Sequence, residues 1–325
     1  MKGLELSHKY YIEYGLPMIK EKFAEYEEHI AVGLVGPGSE CYGFDDTIST
    51  DHDFGPSFCV WLTDEDFEKI GAELNYAYKG LPETFMGYKR IISAHGDGRV
   101  GVFRISDFYR KYTGKADASL TLEEWLFIPE HFLAEVTNGK VFRDNLGEFS
   151  KVRSLFLNYY PEDVRIKKIA ARAATIAQSG QYNYSRCMRR TEIVAARLSL
   201  DEFIRNTLSM VYLLNKKYQP FYKWAFRGME TFDILAHTRK MIENLIFLPI
   251  QKEAWHKEDD VMWGHMLNMN DKVVELIESI CDLIVKELLK QKLTDHTDSF
   301  LQNHTISIMS RIKNDKIRAM HVMAG

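Results

Sequence analysis

Cysteine is scarce in this sequence, and long apolar runs are absent. The four cysteines lie far apart with no Cys-x-x-Cys pair, which excludes a disulfide framework and a zinc site of that spacing. No run of about eighteen apolar residues occurs, so we expect no membrane-spanning segment. The opening residues, Met-Lys-Gly-Leu-Glu-Leu-Ser-His, lack the apolar stretch of a signal peptide. We therefore expect a cytoplasmic protein with reduced thiols.

An excess of positive charge is also absent. The chain carries 42 basic and 46 acidic residues, a net charge of −4, which argues against nucleic-acid binding through bulk charge. We expect no extended DNA binding, although a local basic groove stays compatible with an RNA end. The apolar share of 46% and the charged share of 27% are those of an ordinary globular protein. A length of 325 residues leaves room for two domains.

A glycine-rich turn follows the first apolar run. Residues 30–35 predict a buried strand, and Gly36-Pro37-Gly38 must interrupt it. Such a turn leaves backbone N–H groups free to face an anion, and Ser39 adds a hydroxyl. Taken alone, it fits a plain tight turn better than a phosphate loop. It lacks the Gly-Lys-Ser/Thr of a P-loop and the third glycine of a dinucleotide fingerprint.

Two acids, Asp51 and Asp53, follow this turn with one residue between them. If residues 51–54 open a second strand, both carboxylates point to the same face, and His52 points to the other face and packs there. Like charges so placed repel unless a cation lies between them. Mg²⁺ is usually held by one or two carboxylates together with substrate phosphates. We therefore expect a magnesium site, with Mn²⁺ as an alternative ion, beside a polyphosphate.

The rest of the chain predicts an α+β protein, in which a mixed sheet with flanking helices is followed by an all-α helical bundle. Strand patterns are scarce after residue 150. We therefore expect a catalytic domain over residues 1–150 and a helical domain over residues 151–325. Apolar residues at helical spacing predict helices over residues 191–217 and 271–291.

Local signals place further elements. Residues 58–62 predict the continuation of the second strand, and residues 89–94 and 99–105 predict two β-rich segments joined by a turn at residues 95–98. Helix starts are indicated by Thr63 before an acidic run, by the capping box at residues 121–124 and by Pro161. The helix that begins at Pro161 is expected to end at Gly180.

Two sets of residues resemble a known superfamily. The first set is Gly38-Ser39, Gly43 and Ser49-x-Asp51-x-Asp53. It is similar to the signature of the nucleotidyltransferases that include DNA polymerase beta and the aminoglycoside nucleotidyltransferases. The longer string from Gly38 to Pro56, and Tyr218-x-Pro220-x-x-Lys223-Trp224, look like one bacterial branch, the DUF4037 family. The resemblance implies a cleft between a mixed sheet and a helical domain, and this cleft binds a nucleoside triphosphate and Mg²⁺.

The resemblance also implies roles for single residues. Gly38 and Ser39 correspond to the superfamily's Gly-Ser pair, whose amides and hydroxyl hold the terminal phosphates, and Glu40 beside them is a further candidate for nucleotide binding. Asp51 and Asp53 correspond to the metal-binding, catalytic carboxylates of the superfamily.

The third carboxylate of the superfamily has no obvious counterpart here. It usually lies on a later strand, yet residues 99–105 contain no acid. Asp107 is the nearest substitute, and Glu40 and Asp97 are the others. Otherwise the acceptor hydroxyl is activated differently, or the protein binds nucleotide without turnover.

Basic side chains of the helical half are candidates for the triphosphate, although such a set also fits an ordinary solvated face. They are Lys167, Lys168, Arg172, Arg186, Arg189, Arg190 and Lys223. Lys223 is favoured because it also belongs to the family-like Lys-Trp pair. Cations so placed stabilise a departing pyrophosphate.

The sequence therefore predicts a nucleotidyltransferase. It would move a nucleoside monophosphate from ATP, or another nucleoside triphosphate, to a hydroxyl of a small molecule, a protein or an RNA end. Two Mg²⁺ ions would assist, and pyrophosphate would be released. The alternative is a catalytically idle nucleotide-binding sensor.

Overall fold

The structure is a computed structural model that describes residues 1–50, 53–91, 98–255 and 267–325. The chain divides into two compact units. The first comprises Met1–Leu120 and Ile128–Tyr159, and the second comprises Thr121–Phe127 and Tyr160–Gly325. Residue 150, where we expected the boundary, lies inside a helix of the first unit, Glu148–Leu157.

The described strands all belong to the first unit. They are β1 (Ala31–Leu34), β2 (Cys59–Leu62), β3 (Thr84–Phe85), β4 (Tyr88–Lys89), β5 (Gly101–Arg104) and β6 (Lys140–Arg143). Its helices are α1 (Gly3–Tyr10), α2 (Leu16–Lys22), α3 (Asp64–Lys79), α4 (Ile105–Thr113), α6 (Glu130–Thr137) and α7 (Glu148–Leu157). A π-helical turn, Tyr11–Gly15, joins α1 to α2.

Four of the strands form one mixed sheet, in the order β5-β2-β1-β6. Strand β1 is antiparallel to β2 and to β6, whereas β2 and β5 are parallel. The prediction of a mixed sheet in an α+β chain is therefore confirmed. Gly33 pairs with Cys59, Leu34 with Lys140 and Cys59 with Gly101. The end of β1 and the starts of β2, β5 and β6 thus share one edge, called here the turn edge.

Both faces of this sheet are covered, which explains why every residue of β1 and β2 is buried. On one face, Val32, Val60 and Leu62 join an apolar cluster with residues of α1, α2 and α3. On the other face, the Trp61 ring stacks on Phe149 of α7, with ring centroids 4.0 Å apart.

The second unit contains helices and connecting loops, and no strand lies among its described residues. Its helices are α5 (Leu122–Phe127), α8 (Glu162–Ile176), α9 (Ser185–Arg189), α10 (Ile193–Leu214), α11 (Tyr222–Gly228), α12 (Ala236–Phe247), α13 (Lys272–Lys290), α14 (Thr305–Ser310) and α15 (Asp315–Ala319). The helices expected over residues 191–217 and 271–291 are confirmed as α10 and α13. No helix of the described ranges is long and apolar enough to cross a bilayer.

The expected helix end at Gly180 is wrong. A π-helical segment, Ala177–Tyr184, connects α8 directly to α9, and Gly180 lies within it. A Cβ atom on Gly180 would lie 2.2 Å from the Phe203 ring of α10. The glycine therefore serves close packing between helices and does not terminate one.

The capping signals are confirmed. Thr63 accepts a hydrogen bond from the Asp66 N–H at the start of α3. At the start of α5, the Thr121 N–H donates to the Glu124 carboxylate at 2.8 Å, and the Glu124 N–H donates to the Thr121 hydroxyl at 3.2 Å. Of the β-rich segment expected over residues 89–94, β4 includes only Lys89. The turn at residues 95–98 lies mostly outside the described residues.

Candidate functional site

The turn that follows β1, residues 36–40, is fixed at its first residue by one side chain. Gly36 has φ 123° and Gly38 has φ 127°, a region that favours glycine. The Gly36 N–H donates to the Asn138 side-chain oxygen at 2.9 Å, and the Asn138 amide donates to the Gly36 carbonyl at 2.8 Å. Arg153 of α7 donates in turn to the Asn138 carbonyl at 2.6 Å. The 36–40 turn is therefore held to the end of α6 and, through it, to α7.

Three successive N–H groups of this turn have no hydrogen-bond acceptor in the described ranges. They belong to Gly38, Ser39 and Glu40, and no described residue accepts from them. The Ser39 hydroxyl is likewise without a hydrogen bond within the described ranges, and Ser39 is partly exposed. Successive backbone N–H groups without protein acceptors are suited to an anion. The phosphate-loop interpretation thus has a physical basis in the 36–40 turn.

Arg99, just before β5, joins this turn to Asp53. Its Nε donates to the Pro37 carbonyl at 2.7 Å, and its Nη1 donates to the Asp53 carbonyl. Its Nη2 forms an ion pair with the Glu40 carboxylate. The side chains of Arg99 and Glu40 are only 13% and 8% exposed. Burial lowers the pKa of Arg99 to about 10, so the guanidinium stays charged at neutral pH.

Asp53 does not open a strand, which corrects the expectation for residues 51–54. Its φ is 51°, in the left-handed region, and β2 begins six residues later at Cys59. The carbonyls of Phe54 and Pro56 instead accept hydrogen bonds from the segment after β4. The Ile91 N–H donates to the Phe54 carbonyl at 3.1 Å, and the Arg90 Nε donates to the Pro56 carbonyl at 2.9 Å. Asp51 and His52 lie outside the described residues, so the pairing of Asp51 with Asp53 stays a prediction.

Asp107 lies at the opposite end of β5 from Arg99. It is in the first turn of α4, and its exposed carboxylate pairs with Arg110 at 2.6 Å and Arg104 at 3.7 Å. The structure therefore does not bring Asp107 to the turn edge. Of the other two candidate bases, the Glu40 carboxylate is held by Arg99, and Asp97 lies outside the described residues.

One carboxyl at the turn edge escaped the sequence analysis. Glu135 is half-buried in the last turn of α6, three residues before Asn138. Burial raises the pKa of Glu135 to about 7, although the positive charges of Lys111 and Arg99 act to lower it. It makes no hydrogen bond or ion pair with the described residues. No motif in the sequence singles it out, because its position depends on where α6 meets the sheet.

Tyr112 approaches the same turn from α4. Its hydroxyl lies 3.1 Å from the position that a Cβ atom on Gly36 would take. The side chain is buried, and that burial raises the pKa of Tyr112 well above its ordinary value. A neutral phenol therefore adjoins the turn at physiological pH.

Three of the basic residues expected to contact phosphate have structural partners in the second unit. The fully buried Lys167 ammonium donates to the carbonyls of His321 and Val322, each at 2.8 Å, and of Ala324 at 3.0 Å. Burial lowers its pKa to about 8. Arg172 donates to the Gly325 carbonyl at 3.0 Å, and the buried Lys168 lies over the Tyr160 ring. These cations hold the fold together, which corrects the expectation for them.

Lys223 and Arg186 are exposed on the second unit. The Lys223 Nζ lies 5.0 Å from the Trp224 ring centroid, and the Arg186 guanidinium lies 4.6 Å from the Tyr182 ring. Arg186 also donates to the Tyr182 hydroxyl. Their contact with a triphosphate stays a prediction.

The donor set for a metal is described only in part. Asp53 offers a hard oxygen ligand of the kind that Mg²⁺ takes, and its expected partner Asp51 lies outside the described residues. Among the described residues, no group of three or more His, Cys, Asp or Glu side chains is placed to hold a metal ion.

The family comparison points to the same branch as the sequence resemblance. Residues 125–225 match the model of DUF4037, a domain of unknown function. The matched range includes Glu135, Asn138 and Lys223, but it begins after the 36–40 turn and Asp53. No curated protein and no solved structure matches the chain at a significant level. The match supports the DUF4037 branch, and the wider superfamily stays a prediction.

Proposed function

We propose that the first unit binds a nucleoside triphosphate with Mg²⁺ and transfers its nucleoside monophosphate to a hydroxyl, with release of pyrophosphate. The observation that carries this proposal is the row of three N–H groups in the 36–40 turn that find no acceptor among the residues the structure describes, held beside Asp53 by Arg99. A polyphosphate supplies the acceptors that these donors lack. ATP is the expected donor, and the acceptor hydroxyl belongs to a small molecule, a protein or an RNA end.

Magnesium fits the chemistry of the donors in this proposal. Asp53, together with Asp51, would hold the ion through carboxylate oxygens, its preferred ligands. When bound, the ion supplies neutralisation of phosphate charge and a lowered pKa for an oxygen bound to it. The backbone N–H groups of Ser39 and its neighbours bind and orient the terminal phosphates. Lys223 and Arg186 of the second unit would add positive charge for the leaving group.

Glu135 takes the place of Asp107 as the proposed proton acceptor. A general base works best when its pKa lies close to the working pH, and the pKa of Glu135 is about 7. Glu135 is also at the turn edge without an ion-pair partner among the described residues, whereas Asp107 is paired at the opposite edge. The expected step is transfer of the acceptor hydroxyl proton to a Glu135 carboxylate oxygen.

A catalytically idle nucleotide-binding sensor is the second candidate. Strand β5, Gly101–Arg104, contains no acid at all, and the Glu40 carboxylate is paired with Arg99. A site that binds Mg²⁺ and nucleotide without a working base would bind without turnover.

Pyrophosphate release decides between the two functions. The purified chain is supplied with Mg²⁺ and each nucleoside triphosphate, against panels of small hydroxyl compounds, proteins and RNA ends. We expect release with wild type and none with Asp51→Asn or Asp53→Asn, while Asp107→Asn keeps its rate. Magnesium-dependent ATP binding without release in any panel would favour the sensor. Absence of both binding and release, or full activity in both aspartate variants, would overturn the proposal.

A further inference from the structure

Two segments of the candidate site are distant in sequence and are joined by a single side chain. The 36–40 turn follows β1, and Asp53 precedes β2. Arg99 comes from a third segment and contacts both. Each of its three guanidinium nitrogens has its own partner, namely the Pro37 carbonyl, the Asp53 carbonyl and the Glu40 carboxylate. A planar guanidinium carries five N–H donors spread over three nitrogens in a rigid fork, whereas a lysine ammonium places its three donors on one nitrogen, so lysine could not reach the same three partners from this position.

The backbone of Asp53 indicates that this contact constrains it. A left-handed conformation is less favourable for a residue with a Cβ atom than for glycine, although Asp tolerates it better than most, and contacts with the surroundings help to hold it. Asp53 has φ 51°, and the guanidinium of Arg99 binds its carbonyl oxygen. The direction of the Asp53 carboxylate is therefore tied to the position of Arg99.

Gly38 shows how closely the guanidinium lies against the turn. A Cβ atom at this position would lie 2.2 Å from Nη2 and 2.7 Å from Cζ of Arg99. The Glu40 carboxylate offsets the charge of Arg99 in this buried place, so the pair adds little net charge to the turn. The role left for Arg99 is geometric.

We infer that Arg99 is a positioning residue, which holds the Asp53 carboxylate in register with the N–H groups of the 36–40 turn so that one Mg²⁺-polyphosphate contacts both. This inference rests on the proposed function. It assigns to Arg99 a role in magnesium-dependent binding, through Asp53, and no direct contact with the phosphates.

The test uses the full chain, one double variant of the Arg99–Glu40 pair and one control variant. Arg99→Met alone leaves Glu40 buried and unpaired, which endangers folding. The main variant is therefore Arg99→Met with Glu40→Gln, which removes both charges at nearly constant size. Arg104→Met is the matched control, because Arg104 lies at the other end of β5 and pairs with Glu68 and Asp107.

The first measurement is the dissociation constant of inorganic tripolyphosphate with Mg²⁺ and with a chelator. We expect wild type and Arg104→Met to bind more tightly with Mg²⁺. In the double variant, the dissociation constant with Mg²⁺ should rise about tenfold. The dissociation constant without Mg²⁺ should change by less than about threefold, because the turn alone makes that binding. A proportional loss under both conditions would mean a merely structural role and would overturn the inference. Wild type without any binding would instead overturn the proposed function.

The second measurement does not depend on a ligand. Amide hydrogen exchange is followed in peptides that span residues 36–45 and 53–58. The double variant should exchange faster in both peptides, and Arg104→Met should match wild type. Unchanged exchange in the double variant would show that Arg99 does not hold the two segments, whatever the outcome of the binding assay.

Discussion

Gly38 combines a restricted backbone with a close neighbour, so a single methyl group tests the site. Gly38→Ala places a Cβ against the Arg99 guanidinium in a region, φ 127°, that residues other than glycine avoid. We expect a loss of about 2–4 kcal/mol in the free energy of unfolding, measured with urea. We also expect tripolyphosphate binding to fall about tenfold or more.

The matched control for Gly38 is Gly43, which lies in the same part of the chain. It has φ 71°, and no atom lies within 4 Å of its would-be Cβ. Gly43→Ala therefore carries the backbone penalty alone, about 1–2 kcal/mol. If the two substitutions weakened tripolyphosphate binding equally, the contact between Gly38 and Arg99 would not be the cause of the effect.

Glu135 predicts a measurable pH dependence of stability. Its pKa is raised from 4.5 to about 7 by burial, so between these values the folded state keeps a proton that the unfolded state releases. The stability it contributes is present below about pH 4.5 and is lost as the pH rises through 7. Glu135→Gln cannot ionise, and we expect it to be roughly 1–3 kcal/mol more stable than wild type at pH 8 and similar at pH 4.5.

Urea titrations at several pH values measure this difference. Glu73→Gln, an exposed position on α3, is the control and should keep the wild-type profile. A Glu135→Gln profile parallel to that of wild type would show that the carboxyl ionises normally in the folded protein.

Local signals identified the glycine turn but could not identify its partners. Gly36 and Gly38 on either side of Pro37 favour a turn because glycine adopts positive φ without strain and proline fixes its own φ, so the turn could be inferred from sequence. Arg99 and Asn138 reach it from distant segments, and no spacing rule encodes those contacts. Asp107 was chosen because it follows β5 closely. However, a residue after a strand lies at the opposite edge from a residue before it.

At the scale of elements, the same limit explains two errors. The start of β2 was placed too early because the pattern at residues 51–54 suits a strand, whereas Asp53 and Gly55 adopt φ 51° and 127°. Gly180 was taken as a helix end because glycine often occupies that position. Its actual reason is the Phe203 ring of another helix, which the sequence does not reveal. The strands and helices with strong apolar periodicity, β1, α10 and α13, were predicted well.

The packing at Gly180 gives a prediction opposite to helix propensity. Alanine normally stabilises a helix interior by about 1 kcal/mol relative to glycine. Here its Cβ would meet the Phe203 ring at 2.2 Å, so we expect Gly180→Ala to destabilise the chain by about 1–3 kcal/mol in urea unfolding. Adding Phe203→Leu should recover part of the Gly180→Ala loss, by comparison with Phe203→Leu alone. A stabilising Gly180→Ala would restore the propensity argument.

For the whole molecule, composition and periodicity gave the order of a sheet-containing part and a helical part, but not the division between them. Helix α5 belongs to the second unit although it lies between α4 and α6 of the first. Its Leu126 is fully buried, and its Trp125 ring contacts Tyr160. A pattern read along the chain expects consecutive elements to stay together, and here one short helix does not.

The position of the division can be tested with two fragments. A chain of residues 1–150 ends inside α7 and loses Arg153, which bonds to the last carbonyls of α6. It also loses the fully buried Phe156, whose ring stacks on Tyr109. A chain of residues 1–159 keeps both. Loss of a buried phenylalanine alone costs about 3–5 kcal/mol, so we expect 1–159 to unfold cooperatively in urea and 1–150 to be largely unfolded. Two substitutions in the longer fragment test the part played by Phe156. Phe156→Ala should reproduce most of the loss in the free energy of unfolding, whereas Leu155→Ala, at a half-exposed neighbour, should cost much less. Equal stability of the two fragments would place the end of the first unit near residue 150 after all, because α7 would then contribute nothing beyond its first turn.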